Sequence, residues 1–150
     1  MPNPAIAGVL VTPLQRFSNP KGDVFHAMKS SDPGFSEYGE AYFTTILPGQ
    51  TKGWHKHRRM TMNLVVPVGA ARFIVYDDRP DSETRGHSLS VALSPERYRR
   101  LTISSGLWTA FECIGTEVAL ILNLSSIEYD DTEVLRTSLD RFPLNSGQSI

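Results

Sequence analysis

His55 and His57 stand two residues apart in Lys52-Gly53-Trp54-His55-Lys56-His57, directly after a Pro48-Gly49 turn. On a strand, side chains alternate between faces, so both imidazoles point one way and Trp54 and Lys56 the other. Histidine is the side chain best suited to moving protons near neutral pH. As a base it needs an orienting acceptor on its second ring nitrogen and shelter from bulk water. Asp77, Asp78 and Asp140 are candidate orienters, while the run Asp77-Asp78-Arg79-Pro80-Asp81 also reads as a charged hairpin loop. Lys21, Lys52, Arg58, Arg59, Arg72 and Arg79 could contact phosphate, lysine as a point charge and arginine as a fork. Trp108 and Phe111 offer aromatic faces for a sugar or a base, although core packing suits Phe111 better. Two histidines without a carboxylate hold a divalent ion weakly, so no native metal is expected.

The elements that must position these groups read mostly as strands. In residues 88–93, Leu89, Val91 and Leu93 share one face. Residues 71–76 put Phe73 and Val75 on one face and Ile74 and Tyr76 on the other. Residues 117–124 set Val118, Leu120, Leu122 and Leu124 against Ala119, Ile121 and Asn123. Residues 41–47 are rich in Thr, Phe and Tyr, and residues 64–68 form a hydrophobic strand ending at Gly69. Turn signals separate these runs at regular intervals. Short strands between regular turns predict an all-β antiparallel sandwich or barrel, with a double-sheet jelly roll the natural form at this length. Residues 132–139 could form one short helix capped by Asp130 or Asp131.

At 150 residues and 40% hydrophobic, the chain suits a single domain spanning 1–150 with a real core. A net charge of -1 gives no case for a nucleic-acid or membrane-surface partner. The single cysteine, Cys113, excludes an internal disulfide framework and fits a cytoplasmic location or indifference to redox state. The apolar run 5–11 is short, lacks preceding basic residues and meets Pro13, so it reads as a first strand rather than a signal peptide. No apolar run is long enough to span a bilayer.

Gly49, five residues, His55, one residue, His57 and a closing Gly69 resemble the first motif of the cupins. That motif's acidic metal ligand would fall on Thr61 or Met62, and the histidine of the second motif on Thr109. Over residues 21–133 the chain resembles the dTDP-4-dehydrorhamnose 3,5-epimerase superfamily, the sugar-nucleotide branch of the cupins. The family's Arg-Gly-Leu-His-Tyr-Gln stands here as Lys52-Gly53-Trp54-His55-Lys56-His57. Its Val-Asp-Leu-Arg and Ser-x-Thr-x-Gly stand as Tyr76-Asp77-Asp78-Arg79 and Ser82-Glu83-Thr84-Arg85-Gly86. Its Ile-Pro-x-Gly-Phe-Ala-His-Gly-Phe matches Ile103-Ser104-Ser105-Gly106-Leu107-Trp108-Thr109-Ala110-Phe111.

The resemblance implies a cupin double-stranded β-helix, a homodimer and a nucleotide-sugar partner, with no cofactor. It implies that His55 is the base and that Asp78 matches the family aspartate before the motif arginine, Arg79. Lys52 and Lys21 match diphosphate-binding arginines, and Asn63 stands where a lysine is expected. His57 replaces a glutamine and would help position the substrate, as would Trp108. The family's proton-donating tyrosine falls on Leu122, and Tyr129, Tyr76 or a water would have to replace it. The family aspartate that pairs with the base lies in a C-terminal extension that this shorter chain lacks. Two classes of function follow. One is an epimerase or ketoisomerase of a nucleotide-linked, dTDP-type, 4-keto-6-deoxy sugar, working by proton abstraction next to the ketone. The other is a non-catalytic binding cupin with a degenerate pocket.

Overall fold

Alternation of apolar and polar residues, with turns of Gly, Pro, Asn and Asp, folds the chain into strands packed as two sheets. The computed structural model describes residues 5–150. The strands are β1 (Val9–Pro13), β2 (Arg16–Phe17), β3 (Val24–Phe25), β4 (Glu40–Ile46), β5 (Thr51–His57), β6 (Met62–Val68) and β7 (Ala71–Tyr76). They continue with β8 (Ser88–Leu93), β9 (Arg99–Ile103), β10 (Trp108–Cys113), β11 (Ala119–Ser125), β12 (Val134–Arg136) and β13 (Gln148–Ser149). One sheet has the order β1-β9-β6-β11-β4, the other β12-β5-β10-β7-β8-β13, and β2 with β3 forms a separate hairpin. Every pairing is antiparallel except that of β13 with β8. This is the expected double-sheet barrel, and no α-helix occurs among the described residues.

Two local expectations are corrected. The first strand begins at Val9, not residue 5, because Gly8 turns the chain with φ 91° just before it. The helix expected over 132–139 is replaced by a 3-10 turn, Asp131–Glu133, then β12 and, from Leu139, a second 3-10 turn, Leu139–Arg141. Asp130 caps that turn as expected, accepting from the Thr132 backbone N–H. The helix stops there because the edge of β5 offers unpaired backbone groups: Val134 pairs with His57 and Arg136 with His55.

The barrel interior holds most of the core, including Phe73, Val75, Val91, Leu101, Ile103 and Leu64. Each such side chain contributes about 1.5–3 kcal/mol on full burial. A second cluster lies on the outside of the six-stranded sheet, where Trp54, Ile74, Trp108 and Ala110 are covered by Phe142. The outer face of the other sheet is covered by the segment 27–34. Arg100, fully buried, donates to the carbonyls of Ala27 and Pro33, both at 2.7 Å. Both outer faces are thereby partly covered, while Leu10 and Phe43 stay exposed on the five-stranded sheet.

Candidate active site

The register of β5 against β10 sets which side chains enter the barrel. Lys56 opposes Trp108 and His55 opposes Thr109, but Lys52 opposes Phe111, so an extra residue is bulged out between them. Gly53 makes this possible. Its φ is +140°, and a Cβ there would meet the Ala110 Cβ at 2.7 Å. Thr109 and Phe111 share a face, so the bulge brings Lys52 onto the face of His55 and His57 despite its odd spacing from them.

His55 sits between two spaces. An internal cavity of about 100 Å³ is bounded by His55, Tyr42, Thr109, Asn123, Phe73 and Phe111. A groove of about 410 Å³ outside it is bounded by His55, His57, Lys52, Tyr42, Tyr129 and Arg136. A larger hollow of about 530 Å³ near β3 includes His26, Lys29 and Asp32 but belongs to neither histidine of β5. Enclosure of the His55 ring pushes its pKa down to about 4, helped by the neighbouring His57 and Arg136. The imidazole is therefore neutral across the physiological range.

His57 is buried and carries the carboxylate partner that was sought for His55. Its Nδ1 lies 2.9 Å from Oε2 of Glu133, itself buried. Burial works to raise the Glu133 pKa, but the net shift is downward. The N–H groups of Met60 and Arg59 and the His57 ring all donate to this carboxylate. A carboxylate only accepts, so Nδ1 of His57 carries the hydrogen of this bond. The two rings stand edge to face at 5.3 Å between centroids.

Of the eight residues singled out by sequence, His55, His57 and Lys52 meet at the groove. Lys52 is steadied there by donation from Nζ to the Thr45 carbonyl at 2.8 Å. The other five do not join them. Asp78 faces the opposite side of β5, accepting from Lys56 Nζ at 3.0 Å and from Trp108 Nε1 at 2.8 Å. It therefore cannot orient His55. Trp108 is packed against Phe142 beneath Lys56 and offers no open stacking face. Arg79 is bound to both oxygens of Asp77 at 2.9 Å and to the Ala7 carbonyl, so it closes a loop. Asn63 points to the outer face of its sheet, where it accepts from Thr102 and donates to the Gly34 carbonyl. Lys21 is exposed at the β2–β3 turn and borders neither space.

The remaining orienter candidates are also placed elsewhere. Asp77 is buried in a knot with Arg79, Ser82 and Thr84; burial opposes its ionisation, but these donors hold its pKa well below the usual range. Asp140 is exposed and accepts from Ser138. Leu122, on which the family tyrosine was placed, faces out of the barrel; the inward residue of β11 at this level is Asn123. At the positions of the cupin metal ligands stand Met62, in the cavity wall, and Thr109, whose buried Oγ1 has no hydrogen-bond partner. No cluster of three or more His, Cys, Asp or Glu suited to a metal occurs among the described residues.

Glu133, Arg136, Tyr42 and Asn123 were not singled out as site residues. Glu133 comes from the 3-10 turn and Arg136 from β12, both within the stretch read as helix from the sequence. Arg136 lies opposite His55, bonded to Asp131 at 3.1 Å and to the Tyr129 oxygen at 2.8 Å. The other two had a signal. Tyr42 and Thr44 alternate with Phe43 and Thr45 along β4, and Asn123 interrupts an apolar inward row on β11.

No family model matches the chain. Agl13 of Haloferax volcanii, described as a probable low-salt glycan biosynthesis epimerase, is 30% identical over 137 residues, covering 87% of this chain and 83% of that protein. The crystal structure of a dTDP sugar isomerase from Desulfovibrio desulfuricans G20 superposes with a TM-score of 0.88 at 33% identity, covering 91% of this chain and 88% of that one. ChmJ, a 3'-monoepimerase from Streptomyces bikiniensis solved with dTDP-quinovose, shares the fold with a TM-score of 0.82 at 20% identity, covering 93% and 74%.

Proposed function

The chain belongs to the dTDP-4-dehydrorhamnose 3,5-epimerase-like branch of the cupins, and from that premise we propose that it is an epimerase or ketoisomerase of a nucleotide-linked 4-keto-6-deoxy sugar. The relatives point to dTDP as the nucleotide. The observation that carries the reading is a neutral His55 set between a sheltered cavity and an open groove. A ketone acidifies the neighbouring C–H. His55 takes that proton, and Lys52, three residues earlier on the same strand, and Arg136, paired with His55 from β12, stabilise the enolate oxygen or bind the diphosphate. His57 and Glu133 hold the wall behind His55 in one geometry.

Solvent-deuterium exchange tests it directly. The protein should wash deuterium into dTDP-4-keto-6-deoxyglucose at the carbon next to the ketone. Binding of this sugar without exchange would favour the non-catalytic alternative. The His57–Glu133 hydrogen bond favours a second reading in which His57 is the base. That version wins if His57→Asn abolishes exchange while His55→Asn leaves it.

We also propose a homodimer of this domain in the cytoplasm. β1 and β4 are the two edges of the five-stranded sheet, and they leave Leu10, Phe43 and Leu47 exposed. Such edges are usually covered. A monomer by light scattering at micromolar concentration would sink this.

A further inference from the structure

Inversion at a carbon needs a proton delivered from the face opposite the base, and the family's donor position is no guide because Leu122 points away. We propose that Tyr42 is the proton donor facing His55, that Asn123 positions its hydroxyl, and that the chain is therefore an epimerase rather than a ketoisomerase. This rests on the proposed function and deepens it.

Tyr42 and His55 come from opposite sheets, β4 and β5, and both border the internal cavity and the groove. A ligand bridging the two spaces would meet the imidazole on one side and the phenol on the other. The hydrogen-bond pattern fixes the phenol's role. Asn123 Oδ1 lies 3.1 Å from the backbone nitrogen of Asn63, which can only donate. The amide orientation is thereby settled, and Nδ2 donates to the Tyr42 oxygen at 2.9 Å. A phenol oxygen that accepts this bond still carries its own hydrogen, and no protein acceptor takes it among the described residues. That hydrogen is free for the cavity.

The other tyrosines considered for this role are committed. The Tyr129 hydroxyl donates to Asp131 and accepts from Arg136. Tyr76 stacks on Phe142 outside the barrel at 4.3 Å. Burial raises the Tyr42 pKa, only partly offset by Asn123, so the hydroxyl is protonated at neutral pH.

The step balances without a further reagent. The C–H bond next to the ketone breaks, its proton goes to His55, and its electron pair forms the enolate. The enolate carbon then takes the Tyr42 proton on its other face as the carbonyl reforms. The phenolate regains a proton from water in the groove, and the imidazolium loses its own there.

The test follows dTDP-4-keto-6-deoxyglucose in deuterated water, reading deuterium incorporation and configuration separately for wild type, Tyr42→Phe and His55→Asn. Wild type should exchange with inversion. Tyr42→Phe should keep exchange within a few-fold while inversion falls by about 10²-fold or more, and His55→Asn should lose both. A merely structural role would lower the two readouts together and would overturn the proposal, as would Tyr42→Phe inverting at the wild-type rate. Wild type exchanging with complete retention would also overturn it while leaving His55 as base. No exchange by wild type would remove the proposed function and this inference together. A thermal melt of Tyr42→Phe within a few degrees of wild type certifies the comparison.

Discussion

The two faces of β5 are built from the same seven residues and do opposite things. On the outer face, Lys56 and Asp78 form a 3.0 Å ion pair, Trp108 gives its indole N–H to the same carboxylate, and Phe142 closes over Trp54 and Trp108. Lys56, Asp78 and Trp108 satisfy one another there, and the aromatic surface is covered. On the inner face, among the described residues, His55 has no carboxylate partner, the Thr109 hydroxyl has none at all, and no acceptor takes the Tyr42 hydrogen. Buried polar groups are normally satisfied by the protein or by water. His55, Thr109 and Tyr42 border one cavity, and Asp78 shows that a family-matched carboxylate can belong wholly to the other face.

The sharpest way to break this contrast is His55→Asn. Removing a general base costs about 10²–10⁴-fold in rate, so deuterium wash-in should fall by that range while binding of the nucleotide sugar persists. The pH profile sharpens the same point. His55 titrates at about 4 in the folded protein, below its ordinary 6.5. Base activity of the free enzyme, read as kcat/KM, should stay level from neutral down past pH 6 and fall only as pH approaches 4. Stability follows the same sign. Between these values the unfolded chain binds the proton and the folded chain does not, so acidification from 6.5 towards 4 erodes stability. An acid limb centred at 6.5 would contradict the enclosed setting of the ring.

Glu133→Gln should have the next largest effect. Glutamine can still accept from the Met60 N–H, but it cannot hold the His57 Nδ1 proton with a full charge. A stability loss of about 1–3 kcal/mol is expected from urea midpoints, with slower exchange as His57 loosens. Unchanged stability would show that the buried pair is not holding this wall. Asp78→Asn should do least. Its partners lie on the outer face, and a half-exposed ion pair contributes only about 0–1 kcal/mol. Exchange should stay within about threefold of wild type, since Asp78 touches nothing on the inner face; a loss on the scale of His55→Asn would erase the distinction between the two faces.

Much of this was legible before any coordinates. Residues 88–93 match β8 because Leu89, Val91 and Leu93 alternate towards the core, and residues 71–76 match β7 as a short apolar run buried on both faces; both patterns are written locally. His55 and His57 share a face for the same reason. The helix expected over 132–139 failed because its propensity signal was weak and the open edge of β5 offered backbone partners that the segment itself does not encode.

The sequence by itself determined the strands, the turns, the all-β class and the shared face of the two histidines, since all of these depend on neighbours along the chain. Tertiary structure alone decided that Glu133 serves His57, that a bulge at Gly53 returns Lys52 to the histidine face, that Asp78 belongs outside, and that Tyr42 and His55 border one cavity. Those facts depend on register and on which sheets face each other, and they join residues as far apart in the chain as His57 and Glu133, which no local pattern can bring together.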